Sequence, residues 1–325
     1  MKMEISRKFC VAPMMGYTTP YARKLYRILS NNSFLFSEMI AIKSLIYSKS
    51  RENIIDNDSN NPVALQVGGS EIEDLNKASK IAIDYNYDEI NLNVGCPSTR
   101  VKSGNFGAAL MKKIDLVRSC VEAMKRSAGK IPVTVKSRIG VDDQKPDEVL
   151  PEFITKVANS GCSVFIIHAR KALLRGLSPK DNRTIPPLQY PLVYEMQVNF
   201  PELNIILNGG LTELKEMKSC VKNRVAGVMF GREAYENPSI LLNVDNEIFN
   251  QQEKVRSMKD AIRSMIEYCY REKAEGTAIK GILKHLKGAF KGQANTKQFK
   301  RVLFCNETTD SEKLERLSNL VPIYC

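Results

Sequence analysis

Cys96 stands between Gly95 and Pro97, directly after an apolar run that also carries Asn91 and Asn93. A cysteine in such a turn can face a ligand, whereas most cysteines in a chain of this kind are small buried hydrophobes. An exposed thiol can give a proton to a carbanion-like carbon while a conjugated double bond is reduced. It could alternatively act as a nucleophile, and the local sequence leaves that open. Lys136 and Arg138 end the next run, and His168 and Arg170 the one after it. A lysine buried there is costly without an anionic or electron-rich partner. A flavin supplies one, since its ring offers carbonyl oxygens and an N1 that turns negative on reduction. The rival is a Schiff-base lysine. That chemistry wants carboxylates nearby, and the ends of these two runs carry none. Asn208-Gly209-Gly210 and Gly231-Arg232 close two later runs. Small residues let backbone N–H groups approach a phosphate, and Arg232 can add bidentate bonds. Together they point to a phosphorylated cofactor.

These residues need a scaffold that gathers strand ends. Short β-rich runs recur at 8–12, 35–39, 63–67, 89–93, 133–136, 164–168, 204–208 and 227–230. Most are nearly continuous apolar stretches, the pattern of strands buried on both faces. Helical patterns follow several of them, at 71–85, 112–127, 148–160 and 188–200. Eight βα units predict an α/β fold of the TIM (β/α)8 barrel type, whose sites lie at the C-terminal ends of the strands. A doubly wound sheet would show an early glycine-rich fingerprint, and only Gly16 lies between Phe9 and Tyr26. Polar residues or glycines reach that one rim from every strand. Pro13, Met14 and Met15 follow the first, and Ser37 and Glu38 the second. Gln66 with Gly68-Gly69 belongs to the third. Beyond the barrel, 255–275, 277–290, 296–305 and 312–320 read as helices. The expected organisation is a catalytic barrel over residues 1–245 and a small helical domain over 246–325.

The 325-residue chain carries 48 Lys and Arg against 36 Asp and Glu, a net charge of +12, which suits an anionic partner such as nucleic acid. No apolar run reaches the length of a membrane span, and no secretory signal opens the chain, so a cytoplasmic protein is expected. The eight cysteines lie at least 20 residues apart and there are two histidines, so a zinc or iron–sulfur centre has no support and no metal is expected. From Arg271 to Arg301 there are nine Lys or Arg and two acidic residues. Ile279, Ile282, Leu283, Leu286 and Phe290 share one helical face, and Lys280, Lys284, Lys287 and Lys291 the opposite one. His285 sits at the border of that apolar stripe, as a structural or RNA-contacting residue. A second basic group, Arg170, Lys171, Arg175, Lys180 and Arg183, follows the sixth run. Together the two groups could clamp a folded RNA.

In these segments the chain resembles the FMN-dependent tRNA-dihydrouridine synthases. The matching stretches are Ala12-Pro13-Met14, Gln66-Val67-Gly68-Gly69, Asn91 to Ser98, Val135 to Arg138, Ile167 to Arg170, Asn208-Gly209-Gly210 and Gly231-Arg232. The stretch Ala169–Leu188 resembles the bacterial DusA-like subgroup, which modifies two adjacent uridines, 20 and 20a, of the tRNA D-loop. A Pro-Gly-Ala-Arg-x-Trp-Arg-Arg pattern of that subgroup is replaced here by Ala294 to Arg301. The resemblance implies FMN as cofactor, NADPH as reductant, tRNA as substrate and a monomer. It implies Cys96 as the proton donor. It places Pro13, Met14, Met15, Gln66, Lys136, His168, Asn208, Gly209, Gly210, Gly231 and Arg232 around FMN. It turns Asn93, Arg170, Lys180, Arg183, Lys297, Lys300 and Arg301 toward tRNA. Asn91 or Asn93 could bond the uracil edge. The competing readings are a flavin barrel acting on a small pyrimidine or dihydroorotate, which leaves the basic helices without a purpose, and a non-catalytic tRNA binder, which leaves Cys96 without one.

Overall fold

Among the described residues, the apolar runs form nine strands, and every pairing between them is parallel. They are β1 (Phe9–Val11), β2 (Leu35–Phe36), β3 (Ile40–Ala41), β4 (Val63–Gly68), β5 (Glu89–Val94), β6 (Val133–Arg138), β7 (Val164–His168), β8 (Asn204–Asn208) and β9 (Gly227–Phe230). The computed structural model describes residues 5–48, 55, 62–98, 106–223, 225–252, 257–294 and 296–321. Residue 255, at the start of the expected helix 255–275, residue 295, within the stretch Ala294 to Arg301, and Cys325, the last of the eight cysteines, lie outside them.

β2 and β3 both pair with β4, at Leu35 opposite Val63 and Ile40 opposite Val67, so they are two pieces of one stave. The expected second strand is therefore interrupted at Ser37–Met39, where Ser37 Oγ turns aside to accept the Gln66 N–H at 2.9 Å. The order runs β1-β9-β8-β7-β6-β5-β4-β2. The ring closes where Phe34 bridges β1: Val11 N–H donates to the Phe34 carbonyl and Phe34 N–H to the Phe9 carbonyl, each at 2.9 Å. Gly227 is required on the other flank of β1, because a Cβ there would overlap the Arg7 carbonyl. Helices at Ile72–Asp84, Ile114–Ser127, Pro146–Ala158, Tyr190–Asn199 and Leu214–Lys222 connect successive strands. The helix Ile114–Ser127 shows why: Val117, Cys120, Val121 and Met124 recur at helical spacing and are buried. The fold is the barrel that the sequence predicts, with helices following it.

Strand alternation divides the barrel interior into two kinds of surface. Cys10, Ala12, Phe34, Phe36, Ala64, Val164, Ile166, Ile206 and Met229 form one apolar cluster. On β4, β5 and β6 the same interior face carries Gln66, Glu89, Asn91, Asn93 and Thr134, all buried.

Two compact units emerge: Met1–Gly16 with Phe34–Gly231, and Tyr17–Ser33 with Arg232–Cys325. A boundary after residue 245 would instead cut the helix Val244–Phe249. Within the second unit the buried Asp245 carboxylate explains the grouping. It accepts from Ser30 Oγ at 2.6 Å, Asn31 N–H at 2.7 Å and Asn32 N–H at 3.1 Å, which ties the end of the helix Pro20–Leu29 to Val244–Phe249. The same unit holds the helices Met258–Ala274, Thr296–Leu303 and Asp310–Leu320. The helix expected over 277–290 is instead one α turn, Lys280–Leu283, running into a 3-10 turn, Lys284–Gly288. Gly288 passes so close to the Tyr235 and Glu236 carbonyls, within 2.8 Å for an added Cβ, that only glycine fits there. The division of faces survives. Ile279, Ile282, Leu283, Leu286 and Phe290 are buried, and Lys280, Lys284, Lys287 and Lys291 are exposed. Lys291 pairs with Glu233 at 3.1 Å. No helix among the described residues is long and apolar enough to cross a membrane.

Candidate active site

β5 delivers the turn Gly95-Cys96-Pro97, and three groups clamp it. Asn93 Oδ1 accepts the N–H of Gly95 at 3.2 Å and of Cys96 at 3.0 Å. The Cys96 carbonyl takes the Ala108 N–H at 2.9 Å, and the Gly95 carbonyl takes Arg138 Nε at 3.3 Å. Cys96 is partly exposed, while Cys10, Cys120, Cys162, Cys220 and Cys269 are buried. Cys305, on the helical unit, is also partly exposed, so among the described barrel cysteines Cys96 alone has access to solvent.

β6 and β7 lie side by side, with Arg138 opposite His168. Lys136 Nζ donates to Asn208 Oδ1 at 2.8 Å, and Asn208 Nδ2 donates to the Met229 carbonyl at 2.7 Å. The Lys136, Asn208 and β9 backbone groups therefore form one cross-barrel link. Among the described residues neither Lys136 nor Arg138 pairs with a carboxylate. Burial pushes the Lys136 ammonium down to about 7, helped by Arg138 and opposed by Cys96. Burial also lowers Arg138, to about 10, with Cys96 pulling upward and Arg183 and Arg170 adding to the fall. His168 is held well below the usual imidazole range by burial, then by Arg138, Lys136, Arg170 and Arg183, so it is neutral near pH 7. The C-terminal end of β6 thus presents Lys136 and Arg138, which want an electron-rich partner, beside the neutral His168 of β7.

Gly209 and Gly210 follow β8 with φ of +113° and +74°. A Cβ on Gly209 would come within 2.7 Å of the His168 ring, so glycine leaves room for the ring beside this turn. Tyr190 OH donates to the Gly209 carbonyl and holds the turn from the other side. The N–H groups of Gly209, Gly210 and Gly231 have no acceptor among the described residues. A cradle of free N–H groups beside a half-buried lysine is a donor set that suits a phosphorylated flavin. These residues fit FMN. Pro13 and Met14 are partly buried, and Met14 packs on the apolar interior cluster. Met15 is 66% exposed. Arg232 opens the helix Arg232–Glu236 directly after Gly231.

Gln66 and Asn93, expected to face cofactor and substrate, are buried, and their amides bond to neighbouring strands. Asn91 has no exposed surface and spends its amide on Gln66 and Thr134 at 2.8 and 2.7 Å, so it is removed from the candidates for the uracil edge. The structure also settles His285: it is 1% exposed, bonds Thr19 Oγ1 through Nε2 at 2.7 Å and meets Tyr235 edge-on. Its role is structural. Burial and then Lys284 lower it to about 3.

The basic loop after β7 is ordered by Asn182, whose side chain accepts from Leu173 N–H at 2.7 Å and donates to the Leu173 carbonyl at 2.9 Å. Arg138 reaches the Asn182 carbonyl at 2.9 Å and the Lys171 carbonyl at 3.2 Å. One guanidinium therefore braces both this loop and the Cys96 turn, a role that the sequence did not disclose. Lys180 and Arg183 are exposed on the loop, and Arg170 donates to the Pro186 carbonyl. In the second unit, Phe299 and Leu303 are buried while Lys297 and Arg301 are exposed and Lys300 is partly so.

Comparisons with known proteins bear on the family and the fold. The model of the dihydrouridine synthase (Dus) family matches residues 10–322. The chain is 46% identical over 299 residues to the tRNA-dihydrouridine(20/20a) synthase of Escherichia coli (strain K12), covering 92% of this chain and 86% of that protein. It is 45% identical over 300 residues to the protein of the same name from Vibrio cholerae serotype O1, covering 92% and 91%. In fold it is similar to morphinone reductase, solved in complex with tetrahydroNAD, with a TM-score of 0.53 and 13% identity over 73% of this chain and 85% of that one. It is also similar to the old yellow enzyme homologue from Zymomonas mobilis, with a TM-score of 0.55 over 76% and 90%. From its matched length and its identity to these relatives, the chain belongs to the dihydrouridine synthase family.

Proposed function

We propose that this chain reduces uridines 20 and 20a of tRNA to 5,6-dihydrouridine, with FMN as its cofactor, NADPH as reductant and Cys96 as the proton donor. The observation that carries the reading is the clamped, partly exposed Cys96 turn beside the cations Lys136 and Arg138. FMN, when bound, supplies to C6 of the uracil the hydride taken from NADPH. The thiol of Cys96 gives its proton to C5, where charge develops because the C5=C6 bond is conjugated to the C4 carbonyl. The neutral His168 can donate one hydrogen bond without adding charge. The Gly209–Gly210 turn and Gly231, with Arg232, hold the phosphate, and Pro13, Met14 and Met15 flank the ring. Lys136 and Asn208 orient the ring's polar edge, and Gln66 supports that side of the barrel from within.

The base must leave its stack to reach this rim. Asn93, Arg170, Lys180 and Arg183 border the flipped nucleotide, while Lys297, Lys300 and Arg301 contact phosphates elsewhere on the folded RNA. Such contacts read shape and backbone. The division of labour expected from the sequence, FMN on the barrel and tRNA phosphates on the C-terminal helices, the monomeric state and a cytoplasmic location belong to the same proposal.

The deciding experiment is anaerobic absorption spectroscopy of the purified protein. Flavin bands that bleach with NADPH and recover on addition of unmodified tRNA, and stay bleached with free uridine, support the reading. Recovery with a small pyrimidine alone would move the assignment to a small-molecule reductase. A folded protein that takes up no FMN would overturn it.

A further inference from the structure

Polar side chains are expensive inside a barrel unless each finds a partner. Here they form a single file. Arg7 at the N-terminal end of the barrel holds the fully buried Glu89 through Nε at 2.8 Å and a terminal nitrogen at 2.7 Å, both on Oε2. Glu89 Oε1 accepts Thr134 Oγ1–H at 2.5 Å. Thr134 Oγ1 accepts Asn91 Nδ2–H at 2.7 Å, and Asn91 Oδ1 accepts Gln66 Nε2–H at 2.8 Å. Gln66 Oε1 accepts Asn93 Nδ2–H at 2.9 Å, and Asn93 Oδ1 accepts the Gly95 and Cys96 N–H groups.

The two ends of this file dictate its direction. Backbone N–H groups only donate, so Asn93 must turn its oxygen toward Gly95 and Cys96, and its nitrogen toward Gln66. That fixes the Gln66 amide, which fixes the Asn91 amide, which leaves Thr134 as acceptor from Asn91. The hydroxyl proton then has one remaining acceptor, Glu89, whose other oxygen is filled by Arg7. No amide can turn over without placing two donors or two acceptors face to face. Resting on the reading of Cys96 as proton donor, we propose that this one-way chain positions the Cys96 turn, and that Thr134 and Asn91 are positioning residues for the protonation of C5.

Thr134 tests this, because it touches neither the turn nor the N–H cradle. Thr134→Val keeps the shape and removes the hydroxyl, and Thr134→Ser keeps the hydroxyl. Two readouts are compared: the rate of Cys96 alkylation by iodoacetamide, resolved by peptide mass spectrometry, and single-turnover formation of dihydrouridine. In the valine variant alkylation is expected to rise several-fold as the turn loosens. Dihydrouridine formation is expected to slow by roughly tenfold or more, the cost of a small misplacement. KM for tRNA and reduction of the enzyme by NADPH stay near native. The serine variant returns both readouts to native. A folded valine variant with native alkylation and native turnover overturns the proposal, as does a serine variant as impaired as valine. If the valine variant does not fold, alanine against serine carries the same comparison. Failure of the native protein to make dihydrouridine would refute the proposed function, while the alkylation comparison would still report on the chain.

Discussion

Polar groups do opposite work in the two compact units. Inside the barrel, Glu89, Thr134, Asn91 and Gln66 are fully buried and each is bonded to the next. On the helical unit, Lys280, Lys284, Lys287, Lys297 and Arg301 are exposed, and the apolar Ile282, Leu286, Phe299 and Leu303 hold the structure. A buried polar residue is coupled to its neighbours, since leaving one partner unsatisfied costs the full desolvation of the other. Exposed charges are screened and largely independent. Variants in the first region should therefore change geometry and stability together. Variants in the second should change affinity alone.

Cys96→Ala tests the barrel side most severely. It should lower dihydrouridine formation by about 10² to 10⁴-fold, the range for a positioned proton donor, while FMN uptake and reduction by NADPH remain. Normal turnover on native tRNA would end the assignment. Glu89→Ala should come next. It strands Arg7 and Thr134, and breaking a buried pair in this way costs roughly 3–5 kcal/mol of stability, read from denaturant unfolding. A loss below about 1 kcal/mol would show the pair to be as dispensable as a surface one.

The helical side is probed by replacing Lys297, Lys300 and Arg301 together with Gln. KM for tRNA should rise roughly tenfold or more, and the salt dependence of binding should become shallower. Stability should stay within about 0.5 kcal/mol of native, as for surface substitutions. A fall in kcat with unchanged KM would break the contrast between the regions.

Lys136 gives a subtler test. Its ammonium loses its proton at about 7 in the folded chain, against 10.5 ordinarily. Between those values the unfolded chain holds more protons, so the cofactor-free protein should gain stability as pH rises through that window. Lys136→Met should flatten the curve relative to native, and an unchanged slope would show that burial does not govern this lysine. Smallest of all, Arg118→Ala removes the exposed pair Arg118–Glu122, at 2.7 Å, and should shift stability by no more than about 1 kcal/mol.

Local pattern carried much of the fold and part of the site. Buried strands read as apolar runs because both faces are covered, and strand ends read as polar punctuation because that rim meets a ligand. Cys96, Lys136, His168 and the Gly209–Gly210 turn were visible for that reason. The alternation of Glu89, Asn91 and Asn93, and of Thr134, Lys136 and Arg138, was also in the sequence, since every second residue of a strand shares a face. What those residues bond to was not. Donor and acceptor partners on β4, β5 and β6 are 25 to 45 residues apart along the chain and meet only through strand register. The same holds for Arg138 bracing Gly95 and Asn182, for Asp245 grouping Ser30–Asn32 with the later helices, and for the 3-10 turn that ends at Gly288 against the Tyr235 and Glu236 carbonyls. Side-chain period is a property of neighbouring residues and so is written in order along the chain. Hydrogen-bond partnership depends on distance in space, which only the closed barrel and the packed helices set.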